Sequence, residues 1–216
     1  MKTRVGLIFD DGMLKSSLAT AKLFEEFGLA AVFAVIAETK DFAPAFVKGD
    51  FQVWNEMQQR GHVVAPHGYT HAKLTELPVP AACDLITRCL DTFTEKLDGF
   101  VAKAAVYDYT YNCGSPKLNE FLLPRVKAIR QDGTGFLSAK EIESRVWHST
   151  AIGPHDPGDE LLALLQQAKR RRPHTFLFTL HGTDGEAWGA IALDKLRRVL
   201  ETIVSEEAFE YWVVGK

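Results

Sequence analysis

The strongest constraint on the fold is the alternation of continuously apolar segments with amphipathic ones. Arg4–Phe9, Ala30–Ala37 and Thr175–Leu180 are short apolar runs, as expected for strands buried on both faces. Met13–Phe27 and Pro80–Leu97 show the spacing of amphipathic helices. Strands that alternate with helices favour an α/β fold with a parallel sheet, either open or closed into a barrel.

The same reasoning assigns elements to most of the chain. Further strands are predicted at His62–Ala65, Ala102–Tyr107, Ala128–Arg130 and Phe209–Val214, and further helices at Phe51–Arg60, Leu118–Ala128, Asp159–Arg172 and Ala190–Ser205. In the first helix, the apolar face is assigned to Leu14, Leu18, Ala21 and Phe24. The chain has no linker, low-complexity tract or internal repeat, so residues 1–216 are predicted to form one domain.

Composition argues against several classes of protein, namely nucleic-acid-binding, secreted and membrane-spanning proteins. A formal charge of −3 and a pI near 6.2 argue against a nucleic-acid partner. The apolar run after the initial basic residues is short and is followed at once by acids, which argues against a secretory signal, and no run reaches the roughly 20 residues of a membrane span. Cys83, Cys89 and Cys113 lack metal-type spacing and are interpreted as reduced thiols of a cytoplasmic protein.

Four polar clusters directly follow predicted strands. They are the acidic turn Phe9–Gly12, the HGYTH segment His67–His71, the turn Tyr111–Gly114, and His181. In parallel α/β folds the carboxyl ends of the strands meet on one face, where binding sites are built. We therefore expect these clusters to lie together.

The first two clusters contain the ligand types of a divalent metal. Imidazole and carboxylate suit Zn²⁺, and His67 and His71 are four residues apart, which on a helical turn would put both rings on one face. Two histidines and Asp11 would leave coordination positions open for water and substrate, while Asp10 could handle protons. The alternatives are an Asp-Gly turn that caps backbone amides, and two unrelated loop histidines.

His181 follows the most apolar strand and opens a glycine-rich loop. Its ordinary pKa near 6.5 suits a general acid, and the alternative is a histidine bonded to a backbone carbonyl. Asp184 or Glu186 either orients His181 or is a plain loop acid. Trp188 is either a wall of the binding pocket or an anchor of its loop.

The turn Tyr111-Asn112-Cys113-Gly114 offers backbone N–H groups to a developing oxyanion. Cys113 as a nucleophile is the alternative reading of this turn. No base accompanies Cys113 in the sequence, so a buried thiol is the default interpretation.

Together these motifs resemble those of the polysaccharide deacetylases of carbohydrate esterase family four. The turn Phe9–Gly12 resembles the family's first motif, and His67–His71 resembles its His-Ser/Thr-x-x-His motif. Ala30–Ala37 resembles the apolar strand between them, and Leu180–Asp184 (LHGTD) resembles the late Leu-His motif. The matches extend over nearly the whole chain in the family's order.

The resemblance implies a distorted (β/α) barrel with about seven strands. It implies Asp10 as the catalytic base, His181 as the catalytic acid, and a metal held by the set Asp11, His67 and His71. The metal is expected to be zinc, with cobalt, nickel or manganese as alternatives. Substrate contacts and the oxyanion donor are expected from the set Tyr111, Asn112, Cys113 and Trp188.

The chain departs from the family's pattern at two motifs. The third motif usually reads Arg-x-Pro-Tyr or Tyr-Pro-Tyr-Gly, whereas Tyr111–Gly114 reads Tyr-Asn-Cys-Gly, and no arginine is evident as a partner of Asp10. Gly68 stands where the family has Ser or Thr, which predicts the loss of a hydrogen bond behind the metal ligands.

The family's fourth motif, an Asp near a Trp, is placed at Trp147 with Asp156 or Asp159. The function implied is the removal of an N-acetyl group from a sugar or glycan intermediate. Since no signal is predicted, synthesis of lipopolysaccharide, O-antigen or capsule fits better than a secreted role. The alternatives are a hydrolase of another non-peptide C–N amide bond and a degenerate member that binds carbohydrate without turnover.

Overall fold

A computed structural model describes residues 2–216. Its strands are β1 (Thr3–Asp11), β2 (Val32–Val35), β3 (Val63–Pro66), β4 (Val106–Asp108), β5 (Ala128–Asp132), β6 (Phe136–Leu137), β7 (Val146–Ala151), β8 (Thr175–Leu180) and β9 (Phe209–Tyr211). Its α-helices are α1 (Leu14–Glu26), α2 (Phe51–Gln59), α3 (Val79–Lys96), α4 (Pro116–Leu122), α5 (Ala139–Glu143), α6 (Gly158–Arg171) and α7 (Leu193–Ser205). Within these residues, no helix combines the length and the apolar character needed to cross a membrane.

Seven parallel strands form a nearly closed barrel. Their order is β3-β2-β1-β8-β7-β5-β4, and the two end strands, β3 and β4, lie beside each other. Strand β9 extends the sheet alongside β1, while the short β6 pairs with β8 in the antiparallel direction. The prediction of a distorted (β/α) barrel with about seven strands is confirmed.

The barrel interior is built in two layers, one apolar and one polar. The apolar layer lies deeper and contains Ile8, Val106, Ala128, Trp147 and Leu177 from five different strands. Side chains alternate along a strand, so the residue two positions further faces the same interior. These next residues are all polar and all buried, namely Asp10, Asp108, Arg130, Ser149 and Thr179. The fold therefore places a buried polar layer at the carboxyl ends of the strands.

The outward-facing side chains of the strands pack against the helices. Val5, Leu7 and Phe9 alternate with the interior residues of β1 and belong to the large apolar cluster under α1 and α7. In α1, Phe24 is fully buried and meets Phe9 edge to face, with ring centroids 5.7 Å apart. This packing fixes β1 in the middle of the sheet.

Several local predictions need correction. Leu18 is 45% exposed, because the buried face of α1 includes Ser16, Ser17 and Thr20, whose polarity hides them from an apolar pattern. Residues 102–104 form a 3₁₀ turn rather than the start of a strand. Strands β6 and β7 and helix α5 were not predicted. The VWHSTA segment of β7 contains His148, Ser149 and Thr150, so it lacks the continuous apolar run by which the other strands were recognised.

We predict that Phe24→Ala lowers the free energy of unfolding by about 3–5 kcal/mol, because it empties a fully packed site. Leu18→Ala on the same helix should change it by no more than about 0.5 kcal/mol. Urea unfolding of both variants measures the difference. Equal losses would show that the buried face of α1 has been misidentified.

Candidate metal centre

Asp11, His67 and His71 converge above the polar layer. Their ligand atoms all lie within 4.8 Å of one another. The Oδ1 atom of Asp11 is 3.5 Å from Nε2 of His67 and 3.4 Å from Nε2 of His71. The three side chains come from the end of β1 and the loop after β3, which are brought together because both strands flank β2 in the sheet.

Hydrogen bonding orients His67 for binding a cation. Its Nδ1 lies 2.9 Å from the carbonyl oxygen of Asp108, and since a carbonyl only accepts, Nδ1 carries the proton. In the neutral ring, Nε2 then presents a lone pair toward Asp11. The buried Oδ1 atom of Asp11 has no hydrogen-bond partner within residues 2–216. A lone pair facing an unpartnered carboxylate oxygen leaves a place that a divalent cation satisfies, so the donor set fits a metal.

The charge state of Asp11 suits a metal ligand. Burial raises the pKa of its carboxyl group, but the contacts with the imidazoles of His67 and His71 lower the pKa by more, leaving it well below its ordinary value. Asp11 is therefore ionised at neutral pH. Burial lowers the pKa of His67, but the charges of Asp10 and Asp11 raise it by more, so a metal that binds at Nε2 of His67 would displace a proton there.

His71 is held by stacking instead of by a helix. The segment after His67 is an irregular loop, so the expectation of a helical turn is wrong. The ring of His71 lies between Phe42 and Tyr111, with centroid distances of 4.3 and 4.4 Å. Gly68 has φ +88°, and a side chain there would press on the backbone oxygen of Thr70. Backbone conformation therefore explains the glycine at this position.

The partner of Asp10 is Arg130, which the sequence did not reveal. The Nη2 atom of Arg130 donates to both oxygens of Asp10, at 2.8 and 2.7 Å, and its Nε donates to Asp108 at 2.5 Å. Its Nη1 donates to Asn112 and to Thr179. All three charged groups are buried. The expectation that Asp10 lacks an arginine is therefore wrong.

The acidic and basic groups around this layer are unequal in number. Asp10 and Asp108 within the layer and Asp11 above it are three carboxyl groups, and Arg130 supplies one guanidinium. Burial raises the pKa of Asp108 to about 6, although the charge of Arg130 acts in the opposite direction. A second cation beside Asp11 would balance the layer further.

His181 lines the same cavity as the three converging ligands. Its ring packs edge to face against Trp188, with centroids 5.1 Å apart, and burial lowers its pKa. Neither acid of its loop bonds to it among the described residues: Asp184 accepts from the backbone of Leu193, and Glu186 from the backbone of Ser16. Both are loop acids with structural roles, and Trp188 lines the cavity beside His181.

These side chains surround one cavity of about 580 Å³. Tyr111 and Asn112 line it, whereas Cys113 lines a separate cavity of about 250 Å³ on the far side of Asn112. The backbone N–H of Cys113 donates to the carbonyl of Thr110 at 3.2 Å. That amide is therefore already engaged in a turn.

The residues proposed for a fourth motif lie elsewhere, and this placement is wrong. Trp147 belongs to the deeper apolar layer, and its indole N–H donates to Ile142. Asp156 and Asp159 both pair with Lys195, at 3.5 and 2.7 Å. None of the three lines the cavity.

A family model described as polysaccharide deacetylase matches residues 1–111, a segment that contains Asp10, Asp11, His67 and His71 but not His181. No curated protein matches the sequence. A solved structure of the Xyl-CE4 domain of a multidomain xylanase, from the hindgut metagenome of Trinervitermes trinervoides, has a TM-score of 0.66 and 13% identity, covering 99% of this chain and 88% of that one.

Two other solved structures are similar. A family 4 carbohydrate esterase from Streptomyces lividans, in complex with acetate, has a TM-score of 0.63 and 18% identity, covering 94% of this chain and 88% of its own. A peptidoglycan deacetylase from Bacillus subtilis has a TM-score of 0.62 and 15% identity, covering 98% and 87%. At these identities the likeness establishes a common fold.

We predict that the protein binds about one zinc ion per chain. His71→Ala should weaken zinc binding by more than about 100-fold, because loss of a ligand weakens binding more than loss of a group that only hydrogen-bonds to a ligand. His155→Ala is the matched control, since His155 is exposed and pairs only with Glu160 among the described residues. Zinc titration measures both. Unchanged affinity in His71→Ala would contradict the site.

We predict that Arg130→Met lowers the free energy of unfolding by about 3–5 kcal/mol at pH 7, because two buried carboxylates lose their counter-charge. The exposed Arg125→Met should cost less than about 1 kcal/mol. The loss in Arg130→Met should shrink as the pH falls below about 6, because Asp108 then becomes protonated and needs no counter-charge. Urea unfolding across this pH range tests the pattern, which a loss independent of pH would contradict.

Proposed function

Since the chain belongs to the polysaccharide deacetylase family, a family of metal-dependent hydrolases that act on C–N bonds other than peptide bonds, we propose that it removes an N-acetyl group from an amino sugar. The observation that carries this proposal is the unpartnered Oδ1 atom of Asp11 facing the Nε2 atoms of His67 and His71. A second carboxylate, that of Asp10, lies beside this group, and His181 lines the same cavity.

In this proposal, Asp11, His67 and His71 hold the metal, and zinc suits two imidazoles and one carboxylate best. The chemistry that such an ion supplies when bound is Lewis acidity, which lowers the pKa of water and polarises a carbonyl group. The chain's own residues supply the proton transfers and the substrate contacts.

Asp10 is proposed as the general base that accepts a proton from the attacking water. Its Oδ2 atom lies 3.6 Å from Nε2 of His67, so it borders the place where a metal fits. Arg130 donates to both of its oxygens and keeps the carboxylate in one orientation. Fixed orientation matters, since proton transfer requires the base within hydrogen-bond reach of the proton.

His181 is proposed as the general acid that protonates the departing amine. Burial lowers its pKa, which makes the imidazolium a stronger proton donor. Trp188 packs against the ring and limits its orientation. A base and an acid that line one cavity are the pair of groups that amide hydrolysis needs.

Substrate contacts are proposed for the residues that line the cavity, namely Tyr111, Asn112 and Trp188. Cys113 contributes through its backbone only if its N–H exchanges the hydrogen bond to Thr110 for one to the substrate. A nucleophilic role for its thiol gains no support, because Cys113 lies outside this cavity.

We also propose that the substrate is an intermediate in cell-surface polysaccharide biosynthesis, such as lipopolysaccharide, O-antigen or capsule, handled in the cytoplasm. The three free cysteines support a reducing compartment. Of the similar solved structures, one is described as a domain of a xylanase and another as a peptidoglycan deacetylase, so a glycan substrate is common to them, while the N-acetylated sugar intermediate is this proposal's own.

Acetate release from N-acetylated sugars tests the function. We expect release that a chelator abolishes and zinc restores, because Asp10 and His181 act only on water and carbonyl groups activated at the metal. Zinc binding with acetate release from non-sugar amides alone would contradict the sugar substrate. Sugar binding without acetate release would indicate a binding protein.

We predict that His181→Ala keeps its zinc but loses turnover by about 10²–10⁴-fold, because the leaving amine lacks its proton donor. His155→Ala should retain full turnover. The kcat for acetate release and the zinc content are measured on the same samples. Turnover within a few-fold of wild type in His181→Ala would assign the proton donor to another residue.

A further inference from the structure

The active-site cavity is lined from every parallel strand of the barrel, and we call it the well. Residues at or after the carboxyl end of each of the seven strands line it: Met13 after β1, Phe42 and Phe46 after β2, His71 after β3, Tyr111 after β4, Asp132 at the end of β5, Ala151 at the end of β7, and Trp188 after β8.

The well is polar at its floor and apolar around its rim. The floor contains Asp10, Asp11, His67 and His181. The rim is formed largely by aromatic and alanine side chains, namely Phe42, Ala43, Phe46, Tyr111, Ala151, Ala187 and Trp188, and it also carries Asn112 and the exposed Asp132. Two of these rings, Tyr111 and Trp188, are exposed, so the apolar rim is accessible from outside.

One segment supplies three residues of the apolar rim, Phe42, Ala43 and Phe46. We call residues 36–50 the β2–α2 loop. Its first part is fixed by hydrogen bonds from the backbones of Ala37 and Glu38 to the loop that carries His67 and His71. Its last part is fixed by a hydrogen bond from Gly49 to Gly12, next to Asp11. The loop is therefore anchored at both ends to segments that carry the metal ligands.

Lys48 holds the β2–α2 loop in shape through hydrogen bonds within the loop. Its ammonium group donates to the backbone carbonyls of Phe42, Ala43 and Phe46, at 2.5, 2.9 and 2.8 Å. All three donors of the ammonium group are used inside the loop. The lysine therefore holds Phe42 against His71 and Phe46 on the rim of the well, so this apolar wall is preformed.

We propose that the well takes a single amino sugar bearing an apolar substituent, such as an alkyl or aryl group, in preference to an internal unit of a glycan chain. The sugar part rests on the proposed function, whereas the apolar part rests on the rim and its braced loop. The volume of about 580 Å³ lies in the range of small-molecule sites, about 300–1,000 Å³. The acetamido group reaches the polar floor, and the substituent packs against Phe42, Phe46 and Trp188.

The test compares binding and turnover in the zinc-loaded protein. The ligands are the octyl and 4-nitrophenyl glycosides of N-acetylglucosamine, free N-acetylglucosamine, and the linear tetramer of N-acetylglucosamine. We expect one or both glycosides to bind at least about tenfold more tightly than the tetramer, since burying an apolar group against the rim is worth more than 1.4 kcal/mol. The octyl and aryl arms distinguish a lipid-like from an aromatic substituent.

Phe46→Ala should reduce this preference by about tenfold, because it removes one wall of the rim. Val47→Ala is the matched control, since Val47 is the next residue of the loop and is 67% exposed. The dissociation constants of the glycosides and of the tetramer are measured by calorimetry for each variant, and acetate release is recorded on the same samples.

Equal or tighter binding of the tetramer would overturn the proposal, as would a preference that Phe46→Ala leaves intact or that Val47→Ala reduces equally. A preference lost in Phe46→Ala alone supports it. If the preference for the glycosides is found but no ligand releases acetate, the proposed apolar specificity is supported and the proposed deacetylase function is contradicted.

Discussion

The arrangement of the site depends on one buried guanidinium. Arg130 is fully buried in the barrel and donates to Asp10 and Asp108, so it stabilises two carboxyl groups that are almost fully buried. Asp11 lies beside this group without a hydrogen-bond partner among the described residues. One guanidinium cannot neutralise three carboxylates. The imidazoles of His67 and His71 face Asp11, the carboxylate that Arg130 does not contact. A divalent cation bound there would supply the positive charge.

Strand alternation in the barrel stabilises this cluster of buried charged groups. Each polar residue of the inner layer stands two positions beyond an apolar residue that fills the barrel below it, as Asp10 stands beyond Ile8 and Arg130 beyond Ala128. The apolar layer excludes water from beneath the charges, which strengthens their interactions. The loops that follow the strands then form the wall of the cavity above them. The same architecture therefore sets both the electrostatics of the floor and the shape of the rim.

The sequence allowed the barrel to be predicted because its strands are short apolar runs that end in polar clusters. Asp11, His67 and His71 converge because those clusters follow neighbouring strands. Arg130 could not be paired with Asp10 from sequence, since 120 positions separate them and only barrel closure brings β5 within reach of β1. The rim was also beyond reach: Phe42 and Phe46 belong to an irregular loop, and the hydrogen bonds of Lys48 that shape it depend on backbone conformation.

The central claim is that a cation completes the charge balance beside Asp11. Anomalous diffraction from crystals of the zinc-loaded protein, recorded on both sides of the zinc absorption edge, tests it most directly. The account predicts one strong zinc peak per chain, bounded by the side chains of Asp11, His67 and His71, and no such peak in His71→Ala crystals. A peak located elsewhere, or an unchanged peak in the variant, would contradict the account.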